Sequence, residues 1–222
     1  MAGIDRVVTH GTFELDGGSW EVDNNIWLVG DDDDVVVIDA AHDAGPIIDA
    51  VRGRNVVAVV CTHGHNDHVT VAPQLGDALD APVLLHPADE VLWRMTHPGK
   101  EFRALQDGEV LNVAGTELRA IHTPGHSPGS TCLHAPELGA VFSGDTLFQG
   151  GPGATGRSYS DFPTILASIS ESALSPGCRA SIVARALIVC CASAYCSALA
   201  SASAVCAAID SIRRMSSVLS DP

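Results

Sequence analysis

Residues 62–68 read Thr-His-Gly-His-Asn-Asp-His, directly after the apolar run VVAVVC. Three imidazoles and one carboxylate thus fall within six positions. These are donors that hold zinc, at bonds of about 2.0–2.2 Å. His63 and His65 are two apart, so on extended backbone they face the same way and can clamp one ion. Asp67 and His68 follow as the chain turns and can reach a second. The competing reading is a polar loop with incidental histidines. Four ligand-type residues crowded behind a buried strand argue against it.

One loop offers too few donors, and two later stretches supply candidates. IHTPGHSPGST (121–131) carries His126 in a turn rich in Gly and Pro, and FSGDTLF (142–148) carries Asp145 at the end of an apolar run. Singly, these read as a turn residue and a helix cap. At successive strand ends of one chain they make a constellation. Asp39 closes another such run, DVVVIDA, where a strand-end cap is the competing reading. Arg157 lies in the glycine-rich stretch QGGPGATGRSYSDFP (149–163). It can meet a substrate carboxylate, or be a solvated Arg on a flexible connection.

The elements that must position these residues alternate along the chain. SWEVDNNIWLV (19–29) and DVVVIDA (34–40) read as strands around a turn at 30–33, and VVAVVCT (56–62) as a fully buried strand. GPIIDAVRGR (45–54), VAPQLGDALD (71–80) and ADEVLWRM read as helices, with APVLLHP a strand between the last two. EVLNVAG, TELRAIHT, STCLHAP and GAVFSGD form a meander cut by Gly and Pro turns. SDFPTILASI (160–169) opens another helix, capped by Ser160 or Asp161.

H-x-H-x-D-H at 63–68, TPGHSPGS at 123–130 and SGDTLF at 143–148 together resemble the metallo-β-lactamase fold superfamily, and within it the hydroxyacylglutathione hydrolase-like (glyoxalase II-like) branch. The resemblance covers about residues 19–169. It implies an α/β fold, a four-layer αββα sandwich of two mixed β-sheets with outer helices and the metal site at one edge. It implies that His63, His65 and His126 bind a first zinc ion, that Asp67 and His68 bind a second, and that Asp145 bridges them. Asp39 would lie behind the ligands and orient a ligand loop. Two ions about 3.5–4 Å apart can share a hydroxide at neutral pH, with Asp67 steering the proton. The implied function is hydrolysis of a small-molecule thioester or related acyl ester through that zinc-bound hydroxide. A lactonase or β-lactamase is the nearest alternative. An iron(II) persulfide dioxygenase using His63, His126 and Asp145 is a second, and an inactive metal-binding remnant a third. Cys61 and Cys132 sit in strand-like runs and read as small core residues.

The family pattern includes a further histidine in a Gly-His-Gly-type loop after the last strand, and this chain has none beyond His134. The second ion site is therefore expected to be weakened. Composition changes at the same place. Residues 1–169 form the metallo-β-lactamase-like domain, incomplete at its C-terminal end, and hold all 10 histidines. Residues 170–222 are an atypical Ser/Ala/Cys-rich tail with five of the seven cysteines. The reading favoured here, as a hypothesis, is out-of-frame translation of a damaged gene end. An intact frame running into the tail on sequencing would refute it. A membrane anchor at 186–209 is a second reading, weakened by its small residues. A third has Cys190 or Cys191, in a last strand ALIVCC, replacing the missing histidine. The net charge of −15 disfavours nucleic acid as a partner. The absence of a signal-peptide pattern and the odd, irregular cysteines point to the cytoplasm. Nothing in the sequence fixes an oligomeric state.

Overall fold

A computed structural model of the chain describes residues 1–148, 151–174 and 187–190. Two antiparallel strands, β1 (Gly3–Leu15) and β2 (Gly18–Gly30), form a long hairpin, followed by β3 (Asp34–Ile38). Helix α1 (Ala44–Val51) leads to β4 (Asn55–Val60), then α2 (Asn66–Val69) and α3 (Ala72–Leu79) lead to β5 (Val83–Leu85). A 3-10 turn (Pro87–Asp89) and α4 (Glu90–Thr96) precede the short edge strand β6 (Arg103–Ala104). These six strands make the first sheet in sequence order, antiparallel from β1 to β3 and parallel from β3 to β6.

The second sheet is an antiparallel meander of β7 (Val110–Val113), β8 (Thr116–His122), β9 (Thr131–Ala135) and β10 (Ala140–Gly144). The short pair β11 (Leu147–Phe148) and β12 (Gly151–Pro152) and helix α5 (Phe162–Leu174) follow, and β13 (Leu187–Cys190) adds in parallel beside β10. Both sheets are therefore mixed, as the resemblance implied.

Side-chain alternation builds the layers. On β2 and β3, Ile26, Leu28, Val35 and Val37 face a core shared with Ile47, Leu75 and Trp93 of the helices. Their neighbours Trp27, Val29, Val36 and Ile38 face Leu118, Leu133 and Phe142 of the second sheet. A strand buried on both faces must be apolar at nearly every position, and that is why 35–38 and 56–60 read as unbroken runs. Each such side chain contributes about 1.5–3 kcal/mol by leaving water. Cys61, in the first core, and Cys132, on β9, are buried free thiols.

Two features depart from the sequence reading, and a third matches one of its alternatives for the tail. β1 is a 13-residue strand that the residue pattern did not announce, and among its residues only Thr9 is buried. A strand pairing mainly through its backbone leaves no alternating apolar signature. Helix α5 runs five residues past Ile169, and β13 puts part of ALIVCC into the second sheet as a last strand. The proposed membrane span 186–209 thus contains strand rather than helix at 187–190, and its remaining residues lie outside those described. No helix among the described residues is long and apolar enough to cross a membrane.

Candidate metal centre

The centre lies where the C-terminal ends of β3 and β4 meet the loops after β8 and β10. Asp39 follows β3 with a φ of 59°. That left-handed conformation is tolerated best by Gly, Asn and Asp, and costs on the order of 1 kcal/mol. It turns the carboxylate onto the next strand's loop. Oδ1 accepts from the Thr62 backbone N–H (2.8 Å), and Oδ2 accepts from the Thr62 hydroxyl (3.0 Å) and His68 Nδ1 (3.1 Å). Asp39 thus grips the histidine loop at both ends, and it commits His68 Nε2 to the opposite side.

His63, His65 and His126 converge, with one ring nitrogen of each within 4.8 Å of the others. His126 Nδ1 donates to the Ala154 carbonyl (2.8 Å), which leaves Nε2 as a lone pair 3.1 Å from His65 Nδ1. Nε2 of His63 is buried without a hydrogen-bond partner among the described residues. Burial pushes the pKa of His63 and of His65 well below 6.5, and the neighbouring imidazoles lower both further. Ring nitrogens that converge at this spacing fit a cation between them.

The second corner is built of carboxylates. His68 Nε2 is 3.6 Å from Asp67 Oδ2 and 3.5 Å from Asp145 Oδ1. The other oxygen of Asp145, Oδ2, is 3.5 Å from His126 Nε2. One carboxylate therefore turns an oxygen toward each corner, the arrangement expected of a bridge. Burial alone would lower the His68 pKa, but Asp67, Asp145 and Asp39 outweigh it and push it up to about 10. Burial raises the Asp67 carboxyl. Two buried acids and the partly buried Asp145 around one imidazole call for positive charge, which a divalent cation would supply. By donor chemistry and spacing, the residues fit the two-ion set. The approach of Asp145 depends on Gly144, with φ 48°. A Cβ there would lie 2.5 Å from the Thr62 hydroxyl oxygen.

Sequence reasoning missed Asp89. It is fully buried at the end of the 3-10 turn, and its carboxylate accepts from the Gly64 N–H (2.8 Å), the Ser127 hydroxyl (2.6 Å) and the Gly129 N–H. One side chain ties the loop of His63 and His65 to the loop of His126. A Cβ on Gly129 would come within 2.7 Å of that carboxyl carbon. In sequence, an acid before a helix reads as its cap, yet Asp89 makes no side-chain cap bond. Also missed was Asn24, whose amide nitrogen is 3.3 Å from Asp67 Oδ2.

A cavity of about 790 Å³ opens over the centre. His65, Asp67, His126 and Asp145 line its floor, with Phe13 and Trp20 from the β1–β2 hairpin and Phe148 on its walls. Arg157 lies at this cavity with its guanidinium 4.3 Å from the Trp20 ring and 5.2 Å from the Phe13 ring. Eight of the sequence candidates are brought to this one place: six at the centre, Asp39 behind it and Arg157 at the cavity; of the alternative ligands Cys190 and Cys191, the second lies outside the described residues.

Comparison with known proteins agrees. A model of the metallo-beta-lactamase superfamily matches residues 20–177. A probable metallo-hydrolase of Bacillus subtilis, YqgX, is 30% identical over 167 residues, covering 68% of this chain and 78% of that protein. A hydroxyacylglutathione hydrolase of Aeromonas salmonicida is 35% identical over 133 residues, 59% of this chain, and the match spans only 49% of that enzyme. The crystal structure of TTHA1623 in a di-iron-bound form superposes with a TM-score of 0.66 at 28% identity, over 77% of this chain and 87% of that one. With the family model spanning most of its length and the donor residues gathered from both sheets, the chain belongs to the metallo-beta-lactamase superfamily.

Proposed function

We propose that the chain hydrolyses a small-molecule thioester or related acyl ester, with water adding to the acyl carbon and the thiol or alcohol leaving. The observation that carries this reading is Asp145, with one oxygen 3.5 Å from His126 and the other 3.5 Å from His68. In it, His63, His65 and His126 hold a first ion, Asp67 and His68 a second, and Asp145 joins the two. Bound there, zinc or iron supplies a water acidic enough to ionise near neutral pH and a positive contact for the carbonyl oxygen. Asp67 steers the proton of the attacking water. Asp39 keeps His68 in one tautomer and one orientation. Phe13, Trp20 and Phe148 take the apolar part of the acyl group, and Arg157 takes an anionic group on the acyl or thiol side.

Zinc is the proposed metal, and the cytoplasm the proposed location. The sequence division at residue 169 is kept as a proposal on composition, with the centre built wholly from residues before it.

The test is metal analysis of the purified chain beside hydrolysis of S-lactoylglutathione, an acyl-homoserine lactone and a β-lactam. Thioester turnover in the metal-loaded chain, exceeding that of the other two, is the expected outcome. Dominant lactone or β-lactam turnover would reassign the substrate. One iron per chain with oxygen uptake on glutathione persulfide would reassign the reaction.

A further inference from the structure

Among the described residues, the second ion position has three protein donors, Asp67, His68 and the shared Asp145, one fewer than the family pattern with its further histidine gives it. Asn24 stands beside it. This β2 residue is 1% exposed, and its terminal amide is 3.2 Å from His68 Nε2 and 3.3 Å from Asp67 Oδ2. The other measured edges of this corner, from His68 Nε2 to Asp67 Oδ2 and to Asp145 Oδ1, are 3.6 and 3.5 Å. Tetrahedral bonds of about 2.0–2.2 Å set neighbouring donor atoms about 3.3–3.6 Å apart. On its two edges to His68 and Asp67 the amide therefore has the spacing of a further vertex, and it lines the same cavity as Asp67 and Asp145.

We propose that Asn24 closes the second ion position, its side-chain carbonyl oxygen acting as the fourth protein ligand in place of the absent histidine. The inference rests on the two-ion reading of the site. Nδ2 faces the corner and Oδ1 faces His42 Nε2 at 3.1 Å. A half-turn about the terminal bond exchanges two atoms of nearly equal size. The oxygen then faces the ion, and Nδ2 donates to His42 Nε2, which accepts in the other tautomer of a neutral imidazole. An N–H pair directed at a cation is repelled, so ion loading favours the turned amide. A simpler role for Asn24, donating to Asp67 and holding it still, makes the opposite forecast for one substitution. An aspartate at 24 would add a charged ligand if the position is a vertex. It would repel Asp67 if the position is only a support.

The test uses the full chain stripped of metal. It is titrated with cobalt(II) by visible absorption, and with zinc against a chromophoric chelator. The native chain is expected to take two ions, the second more weakly. Asn24→Ala should weaken the second by about tenfold or more with the first unchanged, and Asn24→Asp should tighten it by about tenfold. The proposal is overturned if Asn24→Ala holds the second ion as the native chain does, or if Asn24→Asp weakens it. A native chain that takes one ion also overturns it, and leaves thioester hydrolysis to be judged by its own assay. Asn24→Asp is nearly isosteric, so it keeps the test decisive should Asn24→Ala fail to fold.

Discussion

The two sheets reach the centre differently. The first sheet sends one loop after β4, and that loop carries His63, His65, Asp67 and His68 together. The second sheet sends His126 from the turn between β8 and β9 and Asp145 from the end of β10, one donor at a time. The first half is a local device whose geometry follows from chain continuity. The second half has meaning only after the sheets have packed face to face. Two buried carboxylates handle this difference: Asp39 braces the first half internally, and Asp89 fastens the first half to the second.

The comparison is broken most severely at His126, the only imidazole that the second sheet contributes. His126→Ala should lower activity and first-ion affinity by more than the roughly 10–100-fold that outer partners of a metal site cost. Retained affinity in chelator competition would mean that the halves do not meet at a shared ion. Next comes the fastening. Asp89→Ala strands the Gly64 and Gly129 N–H groups, and a buried donor without a partner costs about 1–3 kcal/mol. The expected loss is at least about 2 kcal/mol in urea denaturation, with weaker first-ion binding. Gly129→Ala, which drives a methyl against Asp89, should cost about 1–3 kcal/mol by the same measurement.

Smaller effects sharpen the picture. Arg157→Ala is expected to raise KM for an anionic thioester by about tenfold while leaving kcat nearly unchanged. The seam between the halves also carries a pH signature. His86 after β5 stacks on His122 at the end of β8, with ring centroids 3.9 Å apart. Burial, helped by His122, holds the His86 pKa below 6.5. The unfolded chain then takes up its proton first as pH falls. The His86 contribution to stability is thus full above about pH 6.5 and lost as pH drops through the folded value. Denaturation at pH 7.5 and 5.5 should show a smaller difference in His86→Gln than in the native chain.

How much of this was legible follows from the same contrast. The donors at 63–68 could be read because they crowd into one loop, and the runs at 35–38 and 56–60 because those strands are buried on both faces. His126 and Asp145 could be read only together with the loop at 63–68, since a histidine in a Pro-Gly turn and an aspartate after Ser-Gly are ordinary by themselves, and their ligand roles came from the resemblance. Asp89 and Asn24 gave no signal. Each is one polar residue in an unremarkable place, and its importance comes from partners 40 or more positions away, Gly129 for Asp89 and Asp67 for Asn24. β1 was invisible because its pairing with β2 is carried by backbone groups that every residue possesses.

The central claim is that imidazole and carboxylate donors from both sheets hold the metal. X-ray absorption at the zinc edge of the loaded chain tests it most directly. The expected first shell is nitrogen and oxygen at about 2.0–2.2 Å, with the outer scattering of several imidazole rings. A sulfur shell at about 2.3 Å would move a ligand to a cysteine. A shell lacking imidazole scattering would contradict the claim outright.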